Sequence, residues 1–217
     1  VFQLSIQGLL KAMLPTQVDC EQMTAFETLS ARRSTAENQT YLMSPLASQR
    51  PRLFAFKLGT LILNPQGSRG LSGLKNLLET LTLSRKECES LLRWQALSPQ
   101  LLKLFEVDGP VERFHLFRQA QEDIYGLVLL ARLWLAQAKV QGSEDLLDEL
   151  LIQWQDPDNQ IAHPRQWLDG HELIKELKLR PGPGIGQLLL AIQEAQACGK
   201  VGDKSEALAY ARTLSLE

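Results

Sequence analysis

Residues 170–199, GHELIKELKLRPGPGIGQLLLAIQEAQACG, are the stretch on which the reading of this chain turns. Two amphipathic helical patterns meet there at Arg180-Pro181-Gly182-Pro183-Gly184-Ile185-Gly186. Prolines fix φ near −65° and remove donors, while glycines leave room for another backbone to come close. A glycine-rich turn that opens a helix also offers unpaired N–H groups at the positive end of the helix dipole, which suits phosphate. A tight corner between two helices fits the same residues, with glycine as an ordinary C-cap. On local chemistry both readings stand. Lys178 and Arg180 flank the turn and add positive charge.

Outward from this turn the chain reads as helix. Leucine dominates its apolar residues, β-branched residues are few, and no run alternates with period two. The expected fold is all-α: a multi-helix, bundle-like body over residues 1–160 and a small helical C-terminal subdomain over 161–217. Asp156-Pro157-Asp158-Asn159 through His163-Pro164 is the clearest linker. Upstream, Leu53–Leu63 is a compact apolar helix. Leu71, Leu74, Leu77, Leu78 and Leu81 form one leucine face. Ser84 and Glu87 make a capping box for a helix to about Ala96. Pro110 is a first-turn proline opening a long helix to about Val140. Ser143 caps the helix that holds Leu146 to Trp154. Asp169 with Glu172, and Asp203 with Glu206, start the first and last tail helices.

A net charge of −2 conceals an asymmetry. Between Arg32 and Lys86 nine bases stand against Glu37 and Glu79. Between Leu104 and Gln160 eleven acids stand against four bases. A basic third followed by an acidic third fits a polyanion-binding face, and equally fits solvated helix faces that pair with one another. Three widely spaced cysteines suggest neither a disulfide framework nor a metal knuckle. Apolar runs such as Leu127–Ala131 are broken by charge far short of the ~18 residues of a membrane span. With no signal-peptide pattern, the cytoplasm is the expected compartment.

Catalytic signals are scarce. His115, His163 and His171 include no His-Asp pair and no second histidine at metal-ligand spacing. His115, between Phe114 and Leu116, reads as a histidine at the core edge. The glycine turn lacks the Gly-Lys-Ser/Thr of a phosphate-binding loop and follows no strand. Glu144, Asp145, Asp148 and Glu149 lie one turn apart, more simply a solvated acidic face than a cation site.

Several spaced motifs agree in order and distance: Gly170-His-Glu-Leu-Ile174, Leu179-Arg-Pro-Gly-Pro-Gly-Ile-Gly186, Leu188-Leu189, Ile192, Gly199 and Glu206-Ala207-Leu208. Together they resemble the C-terminal segment of bacterial tRNA nucleotidyltransferases, the CCA-adding and A-adding enzymes of the poly(A)-polymerase-like class. The resemblance covers about the last fifty residues. It departs at Glu172, where the family usually has Asp, and near Leu177, where a glycine is common. Many members carry an HD-like middle region. Here the corresponding helix, Arg52 to Leu63, has no His-Asp pair, so phosphohydrolase activity is not expected.

The resemblance implies a tRNA-binding part of a transferase that acts in tRNA processing. The catalytic head, with its magnesium-holding carboxylate pair and its use of CTP or ATP, is expected elsewhere; this chain alone is expected to hold no cofactor and no catalytic residue. Beginning at Val1 fits a piece of a longer protein. The expected partners are tRNA and that head, with no membrane, and oligomeric state is left open. The candidate RNA-binding residues are Arg180, Gly182, Gly184, Gly186 and Lys178 at the turn, with Arg32, Arg33, Arg50, Arg52 and Lys57 from the basic third. Two other classes compete: a helix-hairpin-helix-like module gripping nucleic-acid backbone, and a purely structural or protein-interaction helical domain.

Overall fold

The computed structural model describes residues 36–47, 50–63, 70–81, 83–138 and 144–214. The expected helical pattern over residues 1–30 lies outside them, as do Arg32, Arg33 and the capping residue Ser143. Of the described residues, 36–106 with 120–148 form one compact unit and 107–119 with 149–214 form a second.

In the first unit, α1 (Ala36–Met43) leads into two very short antiparallel strands, β1 (Pro45–Ala47) and β2 (Arg50–Pro51). α2 (Arg52–Ile62), α3 (Gly70–Thr80) and α4 (Arg85–Lys103) follow, and α6 (Ile124–Gln137) completes the described helices of this unit's core. The all-α expectation holds, with the strand pair a local clasp. Ser84 caps α4 through the anticipated box: its Oγ accepts from the Glu87 amide, and Glu87 Oε2 accepts from the Ser84 amide at 2.7 Å. α4 is the central helix, burying Leu91, Trp94, Leu97 and Leu101 against α3, α2 and α6. It runs past Ala96 and straight through Pro99. An interior proline costs about 3 kcal/mol, but burying Leu97, Leu101 and the following Leu104 returns about 1.5–3 kcal/mol each. Packing outweighs propensity there.

The long helix expected from Pro110 is instead two. α5 (Pro110–Ala120) ends in a 3₁₀ turn, Gln121–Asp123, before α6. Gln121 takes φ +49°, a left-handed conformation that costs a non-glycine residue about 1–2 kcal/mol. What the break supplies is the inward carboxylate of Asp123. Its Oδ1 accepts from the Tyr41 hydroxyl at 3.3 Å and Ser90 Oγ at 3.2 Å, and its Oδ2 pairs with Arg93 Nη1 at 2.8 Å. Its backbone carbonyl accepts from Trp94 Nε1 at 3.0 Å. Burial, then the Asp123 charge, pushes the Tyr41 hydroxyl well above its ordinary pKa. Gly126, one turn into α6, lets Trp94 lie flush: a Cβ there would sit 2.4 Å from Trp94 Cζ2.

In the second unit, α5 carries Phe114, Leu116 and Phe117 inward, and Phe117 stacks on Trp154 of α7 (Glu144–Gln155) with ring centroids 5.9 Å apart. Arg113, almost wholly buried, bridges Asp108 at 2.5 Å and Glu149 at 2.9 Å. Within the first unit, Arg132 pairs with Asp148 and stands 3.6 Å from Glu144. Three of the four acids read as a solvated face therefore serve two buried arginines. The Asp156–Pro164 segment is held by its own bonds: the Asn159 carboxamide oxygen accepts from the Ile161 and Ala162 amides at 3.0 Å, and His163 Nε2 meets the Trp154 carbonyl at 2.7 Å.

The tail is a three-helix cluster of α8 (Gly170–Leu177), α9 (Pro183–Ala197) and α10 (Lys204–Leu214). Its small core is Leu168, Leu173, Ile192, Ala195, Val201, Ala207 and Ala211. α8 has the expected capping box, the Asp169 carboxylate accepting from the Glu172 amide at 2.7 Å and Glu172 answering to the Asp169 amide at 3.0 Å. Asp203 accepts from the Glu206 amide at 2.9 Å and starts α10. Lys204 reaches back to Glu172, tying α10 to α8.

Candidate nucleic-acid interface

Leu177 closes α8, and the chain reverses at Lys178, which adopts φ +52° and donates its amide to the Ile174 carbonyl. A left-handed residue after a helix is normally glycine, so a lysine here is held against its preference. The exposed segment Arg180–Gly184 follows, and Pro183 occupies the first helical position of α9. Gly182 is the N-cap and offers no side-chain oxygen. Pro183 has no N–H to donate. The Gly184 amide falls among the first-turn donors that have no intrahelical acceptor, whereas Gly186, four residues after Gly182, enters the helical ladder.

The three glycines are not required by packing. A Cβ built on Gly182, Gly184 or Gly186 meets no heavy atom within 4 Å, and Gly182 has φ 172°, an extended conformation open to any residue. The close backbone approach read from the sequence is thus not made by any described part of this chain. Glycine in the first turns of a helix gives up about 0.5–1 kcal/mol relative to alanine. By contrast Gly170, at the start of α8, has Ile185 Cγ2 at 3.3 Å from its Cβ position, and Gly199 takes φ +69° at the end of α9.

The positive charges divide by location. Lys178 and Arg180 are exposed and make no ion pair among the described residues. Arg50 is joined to Glu87 at 2.8 Å and lies over the Phe54 ring. Arg52 pairs with Glu122 at 2.9 Å and covers the Tyr41 ring. Lys57 is half-buried on α2. Turn and basic third thus lie in different units, and the charges of Arg50 and Arg52 are already balanced within theirs.

Two further bases stand near the turn. His115 Nε2 of α5 lies 3.0 Å from Glu194 Oε1 of α9. Arg118 comes one turn after His115 on the same face, while Leu190 and Gly186 come one and two turns before Glu194. Arg118 and Gly186 line one and the same groove, of about 280 Å³, with Arg165 and Trp167 from the segment before α8. Neither arginine was singled out by sequence. Arg118 sits in the acidic third, and only the α5–α9 pairing reveals its neighbours.

In the tail, the Lys204 ammonium, then the Asp169 amide, lowers the pKa of Glu172, and Glu172 raises that of Lys204. The Glu206 amide and the Ser205 hydroxyl lower that of Asp203. These shifts belong to helix starts and linkage between helices. Among the described residues no three His, Cys, Asp or Glu side chains are grouped to hold a metal ion, and no helix is long and apolar enough to cross a membrane. Cys88 and Cys198 are free and half-buried.

The sequence comparisons bear on this arrangement. The family model described as tRNA nucleotidyltransferase domain 2 matches residues 72–211, and the chain belongs to that family. It is 42% identical over 66 residues to the CC-adding tRNA nucleotidyltransferase of Synechocystis sp., a match covering 30% of this chain and 16% of that protein. It is 43% identical over 53 residues to the A-adding tRNA nucleotidyltransferase of Deinococcus radiodurans, covering 24% of this chain and 12% of that one. The matched stretches thus span less than a fifth of either relative. No solved structure matches.

Proposed function

We propose that this chain is the tRNA-holding part of a tRNA nucleotidyltransferase. It grips the elbow and TΨC arm so that the 3′ end reaches a catalytic head that adds nucleotides from CTP or ATP with magnesium. The observation that carries the reading is the bare glycine surface at the start of α9: three residues without side chains, with no heavy atom of the described residues within 4 Å of where a Cβ would stand. Such a surface admits a sugar–phosphate backbone to within hydrogen-bond reach of the Gly184 amide. Lys178 and Arg180 supply charge beside it, and family membership supports RNA as what approaches.

Recognition of this kind works through shape and backbone rather than base edges, because the major groove of duplex RNA is too narrow to read. The chain's own contribution is binding and orientation. No group-transfer step is assigned to it.

Filter binding of a tRNA transcript across a salt series tests this. With two to four phosphate contacts, log affinity falls linearly with log salt at a slope of roughly −2 to −3.5. Duplex DNA of equal charge binds at least tenfold more weakly. Equal affinity for DNA would favour the helix-hairpin-helix-like module. No salt-dependent tRNA binding at all would leave the turn a plain corner.

A further inference from the structure

Most arginines of this protein are spent internally. Arg50, Arg52, Arg93, Arg113 and Arg132 each meet a carboxylate within their own unit. Arg118 and Arg180 are exposed and meet none among the described residues. These two lie far apart in the chain, yet each adjoins the bare glycines. Arg180 sits in the turn, and Arg118 lines the groove that Gly186 also lines. Arg165 lines the same groove, and its ion pair with Asp158 at 3.0 Å joins side chains 57% and 78% exposed. A pair so exposed is weakly held and yields to a competing anion. Among the described residues no carboxylate lines the groove. Glu194, next to the lining residue Gln193 on α9, is engaged by His115 at 3.0 Å.

We propose that Arg118 and Arg165 form a second clamp on the RNA backbone, pairing with phosphates of the strand that lies against the glycines of α9. The inference rests on the tRNA-holding reading for the identity of the RNA. A guanidinium is a planar fork that meets a phosphate through two parallel N–H donors, and it needs no base to do so. The interface then draws on three separate stretches of the second unit: α5, the segment before α8, and the turn. Contacts at the turn alone would leave a strand free to swivel, whereas phosphates held at several points fix its orientation. An acidic protein segment would meet the same charges, but three glycines give it no side chain to pack on. A free phosphate ion would use one site rather than the whole line of charge.

The test is filter binding of a tRNA transcript to the full chain across a salt series, with the melting temperature of each variant recorded. Arg118→Ala and Arg165→Ala should each flatten the slope of log affinity against log salt by just under one unit, and the double variant by just under two. Arg118→Lys keeps the charge and should keep the parent slope. Because the Arg118 side chain has no partner among the described residues, its removal should leave the melting temperature unchanged. Arg85→Ala is the control: it removes a charge of the same sign from a side chain 91% exposed on α4 and should leave the slope as it is. Inorganic phosphate and poly-glutamate, each at the concentration of tRNA phosphate and at matched ionic strength, should not displace tRNA. If the parent binds tRNA with a clear slope and both arginine variants share it, the clamp is wrong and the tRNA-holding reading survives. Equal flattening by Arg85→Ala also overturns the clamp, since overall charge would explain the effect. Displacement by inorganic phosphate would make this a small-anion site, and displacement by poly-glutamate an acidic-protein surface; either result overturns the proposal. If the arginine variants flatten the slope while Gly184→Ala and Lys178→Gly bind as the parent does, the clamp stands and the glycine-turn contact falls. Without salt-dependent tRNA binding, both fall.

Discussion

Gly126 and Gly184 are both helical glycines near a helix start, and they exist for opposite reasons. At Gly126 a Cβ would collide with the Trp94 indole, whose Nε1 is tied to the Asp123 carbonyl. At Gly184 a Cβ would meet nothing. The first glycine is explained entirely from inside the protein. The second has no explanation among the described residues, and the proposed approach of RNA backbone would supply one. The same contrast runs through the charges. Arg50, Arg52 and Arg93 spend theirs on Glu87, Glu122 and Asp123, whereas Lys178 and Arg180 present theirs to solvent. A positive residue count therefore says little about a binding face until the internal partners are known.

Substitutions on each side sharpen this contrast. Asp123→Ala would leave Arg93 and the buried Tyr41 and Ser90 hydroxyls without their shared acceptor. The expected loss is about 3 kcal/mol in urea unfolding; a loss under 1 kcal/mol would show that the charge cluster does not hold the body together. Gly126→Ala overpacks the Trp94 contact and should lower stability by about 2 kcal/mol, accompanied by a change in tryptophan fluorescence. Lys178→Gly relieves the left-handed lysine and should raise stability by about 0.5–1 kcal/mol. It should also flatten the slope of log tRNA affinity against log salt by just under one unit. Stability gained with an unchanged slope would remove Lys178 from the interface.

A pH effect separates the regions too. The Tyr41 pKa is raised in the folded state, mainly by burial, so the folded protein keeps a proton that the unfolded chain releases above about pH 10. This contribution is intact below pH 10 and is lost as pH climbs from there toward the folded value. Melting temperature should therefore fall above pH 10, and Tyr41→Phe should lessen that fall. If Tyr41→Phe follows the parent at every pH, the buried hydroxyl plays no part.

Much of this arrangement is readable in the chain because its signals are local. Ser84 with Glu87, Asp169 with Glu172 and Asp203 with Glu206 each announce a helix start within four residues, and all three form. The order of motifs from Gly170 to Leu208 also points to the family that matches residues 72–211. What escaped reading depends on distant partners. No glycine or proline marks the break at Gln121, which is stabilised by an Asp123 network reaching back to Tyr41. Pro99 looks like a stop, yet the burial of Leu101 and Leu104 carries the helix through it. The groove needs Arg118 on α5 to meet α9, a pairing 79 residues apart at His115 and Glu194 that no local pattern encodes. The glycine turn was visible; the emptiness around it was not.

If the turn is bare because RNA backbone comes against it, Gly184→Ala reveals this with one added carbon. Its tRNA affinity is measured at fixed salt, with its melting temperature taken alongside. A Cβ in open space in the first turn of α9 should make the fold slightly more stable, by about 0.5 kcal/mol, and should weaken tRNA binding at least tenfold by standing where the phosphate approaches. A variant that melts higher and binds tRNA as tightly as the parent would contradict the account.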